Sequence, residues 1–220
     1  MIEKLLKFGM DEGYFIIKEI KDIEKSCCDI SSTKVIDFDE TKKRLIQVIN
    51  QSPEVFQEPK SCDALKLFTN TNRLDFLEFK GLDRFISNLE GQSPDKATKL
   101  IDKQIIKFDF ETKIQDSLFL LELMLKMSRL EITKAERDNF RSIPKNYIIM
   151  VDIEIEEDPV KNMALSLAYL SSTSNYQEKV VLHLIDEVSS LHNRIEINKP
   201  IIKSSKEIDN YYKELEQIGV

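Results

Sequence analysis

Two alternating runs, Ser61 to Phe68 and Arg73 to Gly81, flank a Thr69-Asn70-Thr71-Asn72 segment. Alternation broken by a polar turn reads as a β-hairpin. This stretch constrains the chain most, because a period of two fixes which side chains share a face and register fixes which of them meet. In the second run Leu74, Phe76, Glu78 and Lys80 share a face, and in the first Asp63, Leu65 and Leu67 do. With Asn70 and Thr71 at the centre of the turn, Leu67 falls opposite Leu74, Leu65 opposite Phe76 and Asp63 opposite Glu78. Directly opposed side chains sit about 5 Å apart, and like charges there destabilise a sheet. A divalent cation offsets that repulsion, and hard oxygen ligands suit Mg²⁺ or Mn²⁺. Lys80 adds a positive group on the same face. The plainer reading is an exposed hairpin end with a neighbouring Glu–Lys pair. Against it, Leu74 and Phe76 turn that face toward a core or cleft, where an unpartnered carboxylate is costly.

Asp63, followed fifteen residues later by Glu78-Phe79-Lys80, resembles the active-site signature of the PD-(D/E)XK nuclease superfamily. The resemblance covers residues 60–81 and, more loosely, 1–157, although Ser61-Cys62 stands where the family name implies Pro. It implies a restriction-endonuclease-like core in which Asp63 and Glu78 hold Mg²⁺ or Mn²⁺ and Lys80 positions or activates the attacking water. It also implies a third acidic ligand from an early helix, for which Glu19 and Glu40 are candidates. A helper side chain on a later helix is implied too, and Gln115, with Lys113 beside it, is in place for that role. The implied activity is metal-dependent hydrolysis of phosphodiester bonds, of DNA, as an endonuclease or exonuclease in bacterial defence or mobile-element biology. The alternative is a non-catalytic interaction or scaffold protein that keeps this core and does not cut.

The order of the remaining signals predicts an α+β or α/β layout: a small mixed sheet with a central hairpin, flanked by helices. An amphipathic helix is expected over 3–25, weakened by Gly9 and Gly13, then a strand over Lys34 to Phe38. Asp39 is expected to cap a helix over 40–50, and Pro53 and Pro59 mark a loop over 52–60. Residues 82–89 continue the strand or form a short helix. Ser93-Pro94-Asp95 opens a helix, and a second, over 113–129, is apolar nearly all round and therefore buried. Residues 147–157 alternate as a strand, and Asp158-Pro159 opens a helix to about Ser171, followed by a polar loop. Val181, Leu184, Val188, Leu191 and Ile195 form a packing seam along 177–194. Asn198 to Lys203 reads as a linker or edge strand, and Ser204 to Glu207 as a capping box for a last helix. The expected division is a nuclease-like core over 1–157 and a helical C-terminal extension over 158–220, packed on the core as one globular unit or serving a homo-oligomer or protein partner.

Lys96, Lys99, Lys103 and Lys107 fall within an arc of roughly 80° on their helix. They are candidates for contact with a phosphate backbone, against the plainer reading of a solvated face. The net charge of −7 argues against a generally basic nucleic-acid coat but permits a local groove. Cys27, Cys28 and Cys62 lack metal-site spacing and fit reduced thiols of a cytoplasmic protein. His183 and His192 point about 180° apart on their helix and do not form a shared metal site. The five Gly form no phosphate loop, which argues against ATP or dinucleotide use. No signal peptide or membrane span is expected. The abundance of Lys, Ile, Asn and Glu points to an AT-rich bacterial or phage-like genome.

Overall fold

The structure, a computed structural model, describes residues 1–49, 58–155 and 176–218. Its centre is a mixed, open, six-stranded sheet whose strands lie side by side in chain order. These are β1 (Ile17–Glu19), β2 (Lys34–Asp37), β3 (Ala64–Phe68), β4 (Arg73–Lys80), β5 (Lys145–Val151) and β6 (Ile201–Ser204). β1 to β4 run antiparallel to one another, whereas β5 is parallel to β4 and β6 parallel to β5. A parallel neighbour demands a long crossover. Between β4 and β5 it is made by α3 (Asp83–Ser87), α4 (Pro94–Phe108), α5 (Phe110–Leu125) and α6 (Lys134–Asp138). The remaining described helices are α1 (Ile2–Asp11), α2 (Phe38–Ile49), α7 (Tyr176–Ser189) and α8 (Ile208–Ile218).

The hairpin has the expected register, with Leu67 paired to Leu74 and Leu65 to Phe76. Asn72 takes a left-handed φ of 51°, which Asn tolerates, and so turns the chain into β4. The alternation of β3, β4 and β5 then builds two apolar layers. On one face Leu65, Leu74, Phe76, Tyr147 and Ile149 pack under α1, α4, α5 and α7. On the other, Ala64, Leu77, Phe79, Ile148 and Met150 meet Ile208 and Tyr212 of α8. Each such fully buried large apolar side chain contributes about 1.5–3 kcal/mol relative to leaving it in water.

Several expectations need correction. The helix expected over 3–25 stops at Asp11, Gly13 takes a left-handed φ of 71°, and Ile17 enters β1. Its apolar residues divide between helix and strand because Phe15 folds back against Gly9. A Cβ added at Gly9 would lie 2.1 Å from the Phe15 ring. Gly9→Ala is therefore expected to cost about 1–3 kcal/mol, read as a lower urea midpoint. Asp37, not Asp39, caps α2: its Oδ1 accepts the Glu40 N–H at 3.0 Å. α5 is apolar nearly all round its middle but not buried all round, since Phe119 is 40 % exposed. β5 ends at Val151 rather than continuing through Ile155. The chain past 158 is not helices alone, because it supplies β6. Ser204 to Glu207 forms a turn before α8, closed by Glu207 N–H donating to Ser204 O at 3.0 Å. The expected helix over 158–171, the loop after it, the last two residues of the 147–157 strand and most of the 52–60 loop lie outside the described residues. Among the described residues no helix is long and apolar enough to cross a membrane.

Candidate metal centre

The site lies at the open end of the hairpin. Ala64 pairs with Leu77, and the same register brings Asp63 to Glu78. The Phe79 N–H donates to Asp63 Oδ2 at 2.8 Å, so the strand backbone itself fixes that carboxylate. Asp63 is 1 % and Glu78 0 % exposed, so neither relies on bulk water to solvate its charge. Each nevertheless keeps one buried oxygen, Asp63 Oδ1 and Glu78 Oε2, without a hydrogen-bond partner. The Tyr147 hydroxyl, also buried and unpartnered, belongs to the same electrostatic neighbourhood.

Cations surround the pair. Lys80, on the Glu78 face of β4, donates to Glu78 Oε1 while its ammonium lies 5.0 Å and 5.8 Å from the Phe108 and Phe110 ring centroids. Lys113 donates to the same oxygen and stands 3.9 Å from Asp63 Oδ1. α5 delivers it: Ser117, one turn further on the same face, accepts the Cys62 N–H at 2.8 Å and docks the helix against the start of β3. From the β1–β2 connection, Lys25 reaches Asp39 at 2.6 Å and Asp63 Oδ1 at 3.8 Å. Asp39 in turn accepts from Ser61.

Burial, then the Asp63 charge, push Glu78 up to about 7 against the pull of Lys80 and Lys113. Burial pulls Lys113 down, yet Glu78 and Asp63 hold it above the ordinary lysine range. Both partners thus grip their protons, Glu78 because it is dry and Lys113 because two carboxylates face it. Burial and Glu78 together also keep the Cys62 thiol protonated. A folded-state value above the ordinary 4.5 means that the folded chain binds more protons than the unfolded one between those limits. Stability of the metal-free protein therefore falls as pH rises from about 4.5 to about 7. Urea midpoints at pH 5 and pH 7.5 should show that fall in wild type, with the contribution of this group gone in Glu78→Gln.

The other residues singled out from sequence lie elsewhere. Glu19 is on edge strand β1 and pairs with Lys21 at 2.6 Å, and Glu40 pairs with Lys43. Gln115 is exposed and donates to Glu111 at 3.4 Å; it sits roughly 200° round α5 from Lys113. Lys96, Lys99, Lys103 and Lys107 line the exposed face of α4, opposite buried Ala97, Ile101, Ile105 and Phe108. The Phe108 contact with Lys80 brings the end of α4 to the carboxylate pair. Lys25 and Asp39 carried no local signal. Lys113 did, since it lies in line with buried Ser117 and Leu120 on its helix.

Carboxylate oxygens are hard ligands of the kind that Mg²⁺ and Mn²⁺ take. Two orphaned carboxylate oxygens offer hard ligands, and Mg²⁺ is commonly held by one or two carboxylates with water and substrate phosphate completing its shell. Among the described residues no group of three or more His, Cys, Asp or Glu side chains stands together as a metal cage. Comparison of the chain with protein-family models, with curated proteins and with solved structures returned no match.

Proposed function

We propose that the protein is a Mg²⁺- or Mn²⁺-dependent nuclease of PD-(D/E)XK type, acting in the cytoplasm on DNA, in bacterial defence or mobile-element biology. One observation carries the reading: two opposed, buried carboxylates each retain a free oxygen while ammonium groups crowd beside them. Asp63 Oδ1 and Glu78 Oε2 would hold the ion. Bound there, it supplies Lewis acidity toward water and a phosphoryl oxygen. Asp63 is kept in orientation by the Phe79 amide, so its free oxygen stays turned into the site. Lys80, steadied over two aromatic rings, offers its ammonium to the charge that gathers on the phosphoryl oxygens. The exposed lysines of α4, on the helix whose last residue meets Lys80, would suit a phosphate backbone. Apart from these, a cleft of about 630 Å³ at the far end of α5 is lined by Lys126, Lys134, Arg137 and Arg141 with Glu122 and Asp138.

A second reading has an observation in its favour. Lys80 and Lys113 already neutralise Glu78 and Asp63, which suits a closed polar cluster in a non-catalytic interaction or scaffold protein. Of the C-terminal helices, α7 packs chiefly against α4, and α8 lays Ile208 and Tyr212 on the sheet.

Incubation of plasmid, single-stranded DNA and RNA with the protein and Mn²⁺ decides between the two. The nuclease reading expects cleavage that needs Mn²⁺ and falls at least a hundredfold in Lys80→Ala. Cleavage of no substrate, with both metals tried, selects the scaffold.

A further inference from the structure

We infer that Lys113 is a built-in competitor of the dication: in the metal-free protein its ammonium sits against both Asp63 and Glu78, and it thereby sets the affinity of the site. This rests on the metal reading above and adds to it a role for one residue. The two lysines at the pair are not equivalent. Lys80 touches Glu78 alone and is anchored over the Phe108 and Phe110 rings. Lys113 is the one that addresses both carboxylates, bonding Glu78 and lying 3.9 Å from Asp63 Oδ1. It comes from α5, so its side chain can leave without disturbing the hairpin pairing.

The charge count gives the consequence. With Glu78 ionised, as it must be to take up a cation, Asp63 and Glu78 carry −2 and Lys80 and Lys113 carry +2, while Lys25 is shared with Asp39 at 2.6 Å. The pair is already neutral, so a dication enters against two ammonium groups within a few ångström, in a dry site where such repulsion is only weakly screened. Entry is therefore opposed as long as Lys113 holds Glu78 Oε1 and faces Asp63 Oδ1, and is eased when it withdraws. The displaced ammonium and the ion then leave the site net positive, which draws in a phosphodiester.

Calorimetric titration with Mn²⁺ alone, without nucleic acid, tests this. Lys113→Met is expected to bind Mn²⁺ about tenfold or more tightly than wild type. Lys113→Gln, which keeps a donor for Glu78 without the charge, should tighten binding in the same direction and guards against a Met variant that does not fold. Lys43→Met, which removes an exposed charge on α2, should leave affinity unchanged. Unchanged or weaker binding in both Lys113 variants, or equal tightening in Lys43→Met, overturns the inference while leaving the metal reading in place. No Mn²⁺ binding by any of these proteins overturns the metal reading and this inference together.

Discussion

Glu78→Gln is expected to abolish the rise in melting temperature that Mg²⁺ or Mn²⁺ bound between Asp63 and Glu78 would give the wild-type protein. A ligand bound only by the folded chain stabilises it by about 1.4 kcal/mol at ten times its dissociation constant, which for a chain of this length raises the midpoint by about 3–6 °C. Gln keeps the size of Glu78 and a carbonyl oxygen but removes the charge that a dication needs. The loss is therefore confined to the metal-induced increment, whatever the substitution does to the metal-free midpoint. The same variant should lose Mn²⁺-dependent cleavage by a thousandfold or more, since the ion and its opposing charge go together. A full thermal rise in Glu78→Gln would place the ion elsewhere.

Asp75→Ala is expected to be the most destabilising single change on the opposite face of the sheet. Asp75 is 0 % exposed and accepts from Arg73 Nε at 2.6 Å, Arg73 Nη2 at 2.7 Å and Asn146 Nδ2 at 2.7 Å. Asn198 continues the chain by donating to Asn146 Oδ1 at 2.8 Å, and Arg73 also donates to the Tyr211 hydroxyl at 2.8 Å. Removing the carboxylate strands the guanidinium among Phe68 and Tyr211. Breaking a fully buried pair costs about 3–5 kcal/mol; because Arg73 keeps 18 % exposure, about 2–4 kcal/mol is expected here, a fall of about 4–16 °C in the midpoint. Burial pushes Asp75 above the usual carboxylate range despite Arg73 and Asn146, so its ionic form is only partly repaid. The neutral isostere Asp75→Asn should consequently cost less than Ala. Urea unfolding measures both, and a loss under about 1 kcal/mol in Asp75→Ala would contradict this account.

The hairpin was legible because local alternation and a polar turn carry register with them: one assumption about the turn centre placed Leu65 against Phe76 and Asp63 against Glu78. The lysine face of α4 was legible for the same reason, as a period against a buried stripe. What was not legible depends on contacts distant in sequence. The first helix was overextended because Ile16, Ile17 and Ile20 fit a helical period as well as an edge strand, and the Phe15–Gly9 contact that decides the matter is tertiary. The partners of the carboxylates come from elements far apart in the chain, Lys25 before β2 and Lys113 on α5, and nothing near Asp63 announces them. Residue type leaves both Lys113 and Gln115 open as the helper on α5, whereas the helical wheel turns Gln115 outward and Lys113 inward.

The most direct measurement is the anomalous difference density of a crystal of the wild-type protein soaked in Mn²⁺. A dication ligated by the opposed strands gives a peak about 2–2.3 Å from both Asp63 Oδ1 and Glu78 Oε2, with Lys113 withdrawn from Glu78. Density between those oxygens that stays empty at saturating Mn²⁺, with Lys113 still bonded to Glu78, would contradict it.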